Sequence, residues 1–437
     1  MKKAMVWIVS LIVLIVMVGC NQSSNQTSSE TQTGSSSQTT ADSVEKVEIT
    51  YWYAWGDKIQ ENNENLVKMF NESQDRIHVT AEYQGSYEDL HAKTQAGFAA
   101  GNAPEVTQNE IASVGIFANS GMTENLTPFV EKDGLDIEDF IPGLMGNSYV
   151  NDQLYALPYL RSTPILYLNK TLLEEVGLDP VGPKNWDEFK EYASALTTDG
   201  ERVGMTMPVN IWFYEAFVAQ SGGQMLSDDG TEAEFNSPAG VEPVEFWKEL
   251  ASEGIIKIPT GDEAGDTAKQ DFANGRSGMI FSSTADLSYW LAMAEEQGFE
   301  LTTSFMPANS TYGVPTGGAN LVMTSGLESQ KQEAAWEFIK WMTSTEQTVY
   351  ASTYTGYLPS RMSAVNSDDM QSFYEEYPQF KVAVDQLEYA RPRPMEDAYP
   401  EIAKIINDEI TRAIIHDDVA PQDALDVAAE KANSLLK

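Results

Sequence analysis

The 437-residue chain has one cysteine, Cys20, and three histidines, His78, His91 and His416. A lone cysteine excludes an internal disulfide and any cysteine-ligated metal or redox pair. The histidines form neither a His-x-x-x-His nor a His-Glu-x-x-His pair, which leaves a histidine metal site or a Ser-His-Asp triad without support. No metal and no cofactor is therefore expected. Basic residues are also scarce: 27 Lys and Arg against 66 Asp and Glu give a formal charge of −39. Such a charge repels phosphate backbones, which excludes nucleic acid as a partner and describes an acidic, solvated surface. Any anionic ligand would need a local cationic pocket.

Long apolar runs are missing too, except at the start. Lys2 and Lys3 precede an apolar run from Ala4 to Val18, broken only by Ser10. It is shorter than the ~20 residues that cross hydrocarbon as a helix, so it predicts an export signal over residues 1–19. Met17-Val18-Gly19-Cys20 resembles a lipobox, with Met where Leu is usual, and makes Cys20 the expected lipidation site. Two or three acyl chains there would hold the protein on the extracytoplasmic face of a membrane. Residues 20–43, nearly all Ser, Thr, Gln, Asn and Gly, cannot offset their ordering entropy by burial and predict a disordered tether.

From residue 44 the chain is long enough for two domains, and 42% hydrophobic and 10% aromatic residues supply their cores. Val47–Tyr53 alternates as a strand, Glu61–Phe70 has helical apolar spacing, and Ile77–Tyr83 is a second strand. Tyr87–Ala100 reads as a helix stopped at Gly101, before a short strand at Glu105–Gln108. Pro164–Leu168 is an apolar strand followed by a helix to Val176, and Trp186 opens another helix. Amphipathic helices are expected at Ala334–Met342, Ile402–Ile415 and Pro421–Leu436. This alternation predicts an α/β fold with a largely parallel sheet and ligand sites at strand carboxyl ends.

No catalytic motif stands out. Sixty-six acids guarantee accidental carboxylate neighbours, and Asp262-Glu263-Ala264-Gly265-Asp266 lacks the spacing of a calcium loop. Small, aromatic and hydroxyl residues do cluster at expected turns: Gly85-Ser86-Tyr87, Arg161-Ser162-Thr163-Pro164, Ser282-Ser283-Thr284, Thr316-Gly317-Gly318-Ala319-Asn320 and Thr355-Gly356-Tyr357-Leu358-Pro359. Each alone is also ordinary turn chemistry. Together they suit a sugar or polyol, because glycine admits close approach, hydroxyls read oxygens and tyrosine offers a flat face with a polar tip.

From Val47 to Lys437 the chain resembles the large bacterial solute-binding proteins of ABC importers, the cluster with maltose-, trehalose- and glycerol-3-phosphate-binding members. The resemblance is carried by Gly101-Asn102-Ala103-Pro104, by Ser162 to Lys170 and by Gly177-Leu178-Asp179-Pro180. Ser162-Thr163-Pro164 and Thr355 to Pro359 point to the glycerol-phosphate branch. The resemblance implies the type II two-lobed fold with discontinuous lobes, here 44–158 plus 315–358 and 159–314 plus 359–437. It implies crossings near Pro158–Ser162, Gly313–Ala319 and Gly356–Arg361.

Carried over one position at a time, the implied ligand contacts are Tyr87 and Glu110 from the first lobe, then Ser162, Ser283, Gly318 and Tyr357. Two departures matter. The arginine that holds the ligand phosphate falls on Ala403, three residues after Pro400. Arg161, Arg391 and Arg393 are candidate replacements, Arg161 foremost. The stacking tryptophans fall near Val209 and Ile211, where Trp212 and Tyr214 lie close enough to substitute.

The resemblance implies a monomer, not an enzyme, that captures its ligand by hinge closure and passes it to membrane permease and ATPase subunits. The expected ligand is glycerol-3-phosphate or a related glycerophosphodiester, with a neutral sugar such as maltose or trehalose as the alternative. A secreted glycoside hydrolase or esterase is the rival from another class; it predicts turnover rather than stoichiometric binding.

Overall fold

A computed structural model describes residues 46–437. Cys20, the signal and the tether lie outside the described residues. Among the described residues, no helix is long and apolar enough to cross a membrane.

Two five-stranded mixed sheets organise the body. The first runs, in spatial order, Ile77–Tyr83, Val47–Tyr53, Val106–Glu110, Gly317–Met323 and Ala156–Ser162. Its first three strands are parallel, but Gly317–Met323 is antiparallel to both neighbours. The second runs Leu301–Ser304, Pro164–Asn169, Ser277–Ser283, Val203–Thr206 and Ile256–Lys257, with Pro164–Asn169 antiparallel to both neighbours. The expectation of a largely parallel sheet is therefore corrected. Gly317–Met323 returns from the other sheet rather than through a β-α-β crossover, so the right-handed rule that enforces parallel pairing does not bind it.

The chain leaves the first sheet at Ser162 and enters the second at Pro164, with only Thr163 between. Within Pro164–Asn169 both faces are covered. Leu166 and Leu168 join a core with Trp186, Phe217, Trp247 and the helix Tyr399–Ile415. Ile165 and Tyr167 join another with Phe272 and Trp290. Such two-sided burial explains a continuous apolar run where an exposed strand would alternate. The first sheet has its own core around Tyr51, Phe70, Leu321 and Phe338.

Helix boundaries follow their caps. Ser86 accepts from the Asp89 amide while the Asp89 carboxylate reaches back to the Ser86 amide, a capping box that starts the helix Tyr87–Ala100. Gly101, at φ +75°, ends it. Asn169 and Asn185 cap Lys170–Glu175 and Trp186–Leu196 by accepting from the Leu172 and Glu188 amides.

Candidate functional site

The first three strands of the first sheet end on a cleft of about 940 Å³. Just past Val47–Tyr53, Trp55 (φ +70°) and Asp57 (φ +51°) turn the chain sharply into the helix Asp57–Ser73. That turn presents the Trp55 indole, 39% exposed, edge-on to Tyr87 at 5.2 Å. Tyr87 reaches the cleft because the Ser86 cap fixes it as the first residue of its helix. Glu110 is the last residue of its strand and accepts from the Ala112 amide at 3.0 Å.

Seven sequence-derived candidates line this one cleft: Tyr87, Glu110, Ser162, Trp212, Ser283, Gly318 and Tyr357. Trp212 stands on the helix Ile211–Gln220, donates its indole N–H to the Thr316 carbonyl at 3.1 Å and covers Gly317, where an added Cβ would lie 2.7 Å from the ring. Gly318, at φ +87°, meets a bulge in the neighbouring strand: its own Cβ would fall 2.0 Å from the Leu160 carbonyl oxygen. Burial pushes the Tyr87 and Tyr357 hydroxyls above their usual range, so both remain donors.

Arg161 does not join them. It is fully buried, donating to the carbonyls of Gly317 (3.0 Å) and Leu144 (2.6 Å) and to Asn320 Oδ1 (3.0 Å). Burial lowers its pKa to about 9, against the pull of Glu110. The reading of Arg161 as a ligand-phosphate clamp is thus corrected: the side chain does not line the cleft, its Nε and Nη1 are held by two main-chain carbonyls and Asn320, and its Nη2 is buried without a partner. Tyr214 is likewise withdrawn, its hydroxyl bonded to the Phe235 and Gly240 carbonyls in the core. Ala403 sits on the helix Tyr399–Ile415 and does not line the cleft.

The guanidinium that does face the cleft belongs to Arg393. It makes a two-point bond to Glu215, Nε to Oε2 at 2.9 Å and Nη2 to Oε1 at 3.0 Å, and its Nη1 reaches Glu110 Oε1 at 3.2 Å. Burial penalises this charge, but the Glu215 and Glu110 carboxylates outweigh it and raise the pKa of Arg393. Burial pushes the Glu110 carboxyl up, with Arg393 opposing. Tyr399 donates to Glu215 Oε1 at 2.8 Å and completes that carboxylate's shell.

Sequence reasoning missed Trp55, Lys58, Lys269, Asp286 and Tyr289, which also line the cleft. The signal for Trp55 to Lys58 was their place directly after the first strand, where α/β folds bind ligands. Lys269 and Asp286 lie 3.9 Å apart on the second wall and offset each other.

Residues 65–382 match the sequence family described as bacterial extracellular solute-binding protein. The sn-glycerol-3-phosphate-binding periplasmic protein UgpB of Pectobacterium atrosepticum is 26% identical over 415 residues, covering 89% of this chain and 91% of that protein. The Escherichia coli K12 protein of the same name is 27% identical over 413 residues, covering 89% and 92%. Among solved structures, the cyclic alpha-maltosyl-1,6-maltose binding protein of Arthrobacter globiformis superimposes with a TM-score of 0.80 at 23% identity, over 90% of this chain and all of that one. UgpB of Mycobacterium tuberculosis in complex with glycerophosphocholine gives 0.77 at 23% identity, over 90% and 99%.

Proposed function

This chain belongs to the bacterial extracellular solute-binding proteins, and from that premise we propose that it captures a neutral polyhydroxylated solute, a sugar or polyol, for an ABC importer. The observation that carries the choice of solute is the state of Arg393. Its guanidinium is already held by two carboxylates, at 2.9 Å and 3.2 Å, so it has little positive charge to offer a phosphate. Lys269 is offset by Asp286, Arg161 is enclosed, and Lys58, the one cleft cation among the described residues without an ion pair, stands exposed to solvent, where a charge contact is weak.

What remains suits hydroxyl groups. Glu110 has accepting capacity left on both oxygens, Tyr87, Tyr357, Ser162 and Ser283 offer hydroxyls, and Trp55 and Trp212 offer flat apolar faces. A micromolar affinity, about −8 kcal/mol, is within reach of several such bonds and one aromatic stack in a desolvated cleft. In this reading two discontinuous lobes close about the hinge segments, and the closed form docks on permease and ATPase subunits. Cys20 would carry the lipid anchor and residues 21–43 the tether.

The glycerophosphate reading draws on the glycerol-3-phosphate-binding relatives and would require Arg393 to exchange Glu110 for phosphate. Isothermal titration of the protein with maltose, trehalose, glycerol-3-phosphate and glycerophosphocholine separates the two. One-to-one binding of a neutral sugar, with no product formed on long incubation, is expected. Micromolar binding of the phosphate esters alone would overturn the choice of solute, and turnover of any sugar would overturn the binding reading itself.

A further inference from the structure

We propose that Asn147, which does not line the cleft, is the positioning residue of the solute site: it fixes the main chain at Arg393 and thereby sets how tightly the cleft holds a solute. Asn147 is fully buried and bonds one residue far away in sequence with both ends of its amide, its Oδ1 also accepting from the Thr316 hydroxyl at 3.3 Å. Its Oδ1 accepts from the Arg393 amide at 3.1 Å, and its Nδ2 donates to the Arg393 carbonyl at 2.9 Å. The pair copies two strand hydrogen bonds with a side chain.

The sequence around Arg393 makes this hold important. Pro392 and Pro394 have no N–H, so the Arg393 amide is the only main-chain donor in that stretch, and Asn147 takes it. The same segment lies in a trough of glycines that could not be anything larger without movement. An added Cβ at Gly143 would lie 2.9 Å from that of Ala390, at Gly146 2.6 Å from that of Pro392, and at Gly115 2.5 Å from the Met395 carbonyl oxygen.

From this fixed backbone the guanidinium reaches Glu215 and Glu110, so a shift of the segment would move both carboxylate contacts together. Asn147 is itself held from behind. Asn320 Nδ2 donates to its carbonyl at 2.8 Å, and Asn320 Oδ1 accepts from Arg161 at 3.0 Å. The buried Arg161, withdrawn as a ligand contact, thus anchors the far end of the chain Arg161–Asn320–Asn147–Arg393–Glu110.

The test uses the whole protein with Asn147→Ala and the near-isosteric Asn147→Asp, which keeps the acceptor for the Arg393 amide and loses the donor to its carbonyl. Two readouts are needed: the affinity for maltose, and the hydrogen-exchange rate of the Arg393 Nε–H by nitrogen-15 NMR. Only the first rests on the solute-capture reading. Asn147→Ala is expected to speed Arg393 Nε–H exchange and to weaken maltose binding about tenfold or more, and Asn147→Asp, whose second carboxylate oxygen would face the Arg393 carbonyl, to be no milder in either. Exchange at the wild-type rate in Asn147→Ala overturns the proposal, as does a loss of stability with affinity and exchange unchanged. Absence of maltose binding by the unmodified protein would count against the choice of solute and leave the exchange comparison to decide the role of Asn147.

Discussion

Arg393 Nη1 lies 3.2 Å from Glu110 Oε1 while its Nε and Nη2 hold Glu215, so the cleft's guanidinium is shared between two carboxylates. An arrangement of this kind can still orient hydroxyl groups, because Glu110 keeps accepting capacity while the positive field of the guanidinium is cancelled.

Glu110→Gln is expected to weaken a neutral sugar about tenfold or more, since bonds to a charged acceptor exceed those to an amide. Stability in urea should change little, because Glu215 still holds Arg393. Titration calorimetry beside urea unfolding checks both, and wild-type affinity would remove Glu110 from the site.

Arg393→Met should instead act on the fold. It strands Glu215, whose side chain is 4% exposed, without its cation, and breaking a buried pair from one side typically costs about 3–5 kcal/mol. Urea unfolding measures it, and a loss below about 1 kcal/mol would mean that water reaches Glu215 readily.

His91 gives a pH dependence with a definite sign. Its Nε2 accepts from the Glu110 amide at 3.2 Å, the ring lies between Tyr87 and Phe117, and burial lowers its pKa from 6.5 to about 4, with Glu88 opposing. The fold therefore holds the neutral ring. This contribution is complete above pH 6.5 and is lost as pH falls towards 4, amounting to at most about 3 kcal/mol. Stability curves of the wild type and His91→Gln should converge over that interval; parallel curves would show that the ring is not the titrating group.

Gly318→Ala should cost about 2 kcal/mol or more, because φ is +87° and the new methyl meets the Leu160 carbonyl. Its thermal midpoint should fall well below that of Gly101→Ala, which has a similar φ of +75° but open space around it. Equal midpoints would mean that the bulge relaxes easily.

Much of the local structure was legible in the sequence. Val47–Tyr53, Ile77–Tyr83 and Tyr87–Ala100 declare themselves by alternation or by cap residues, signals that act within a few positions. Sheet direction was not, because the antiparallel placement of Gly317–Met323 depends on a return from the second sheet rather than on its own residues. Arg161 misled for a related reason. Beside Ser162 it reads as a surface cation, but a bulge at Leu160, which has φ +48°, accompanies a side chain directed under the floor towards the Gly317 and Leu144 carbonyls. The role of Arg393 depends on Glu215 and Asn147, 178 and 246 residues away, distances at which no periodicity operates.

The position of Gly317–Met323 also dictates an order of assembly. It lies between Val106–Glu110 and Ala156–Ser162, so until residue 323 is available the first sheet is two fragments with exposed edges and no shared ladder. Closing a loop of that length must precede any gain from pairing, which makes folding slow compared with the formation of its helices. A nascent chain of this sequence thus has every strand of its second sheet, which lies within residues 164–304, before it can close its first.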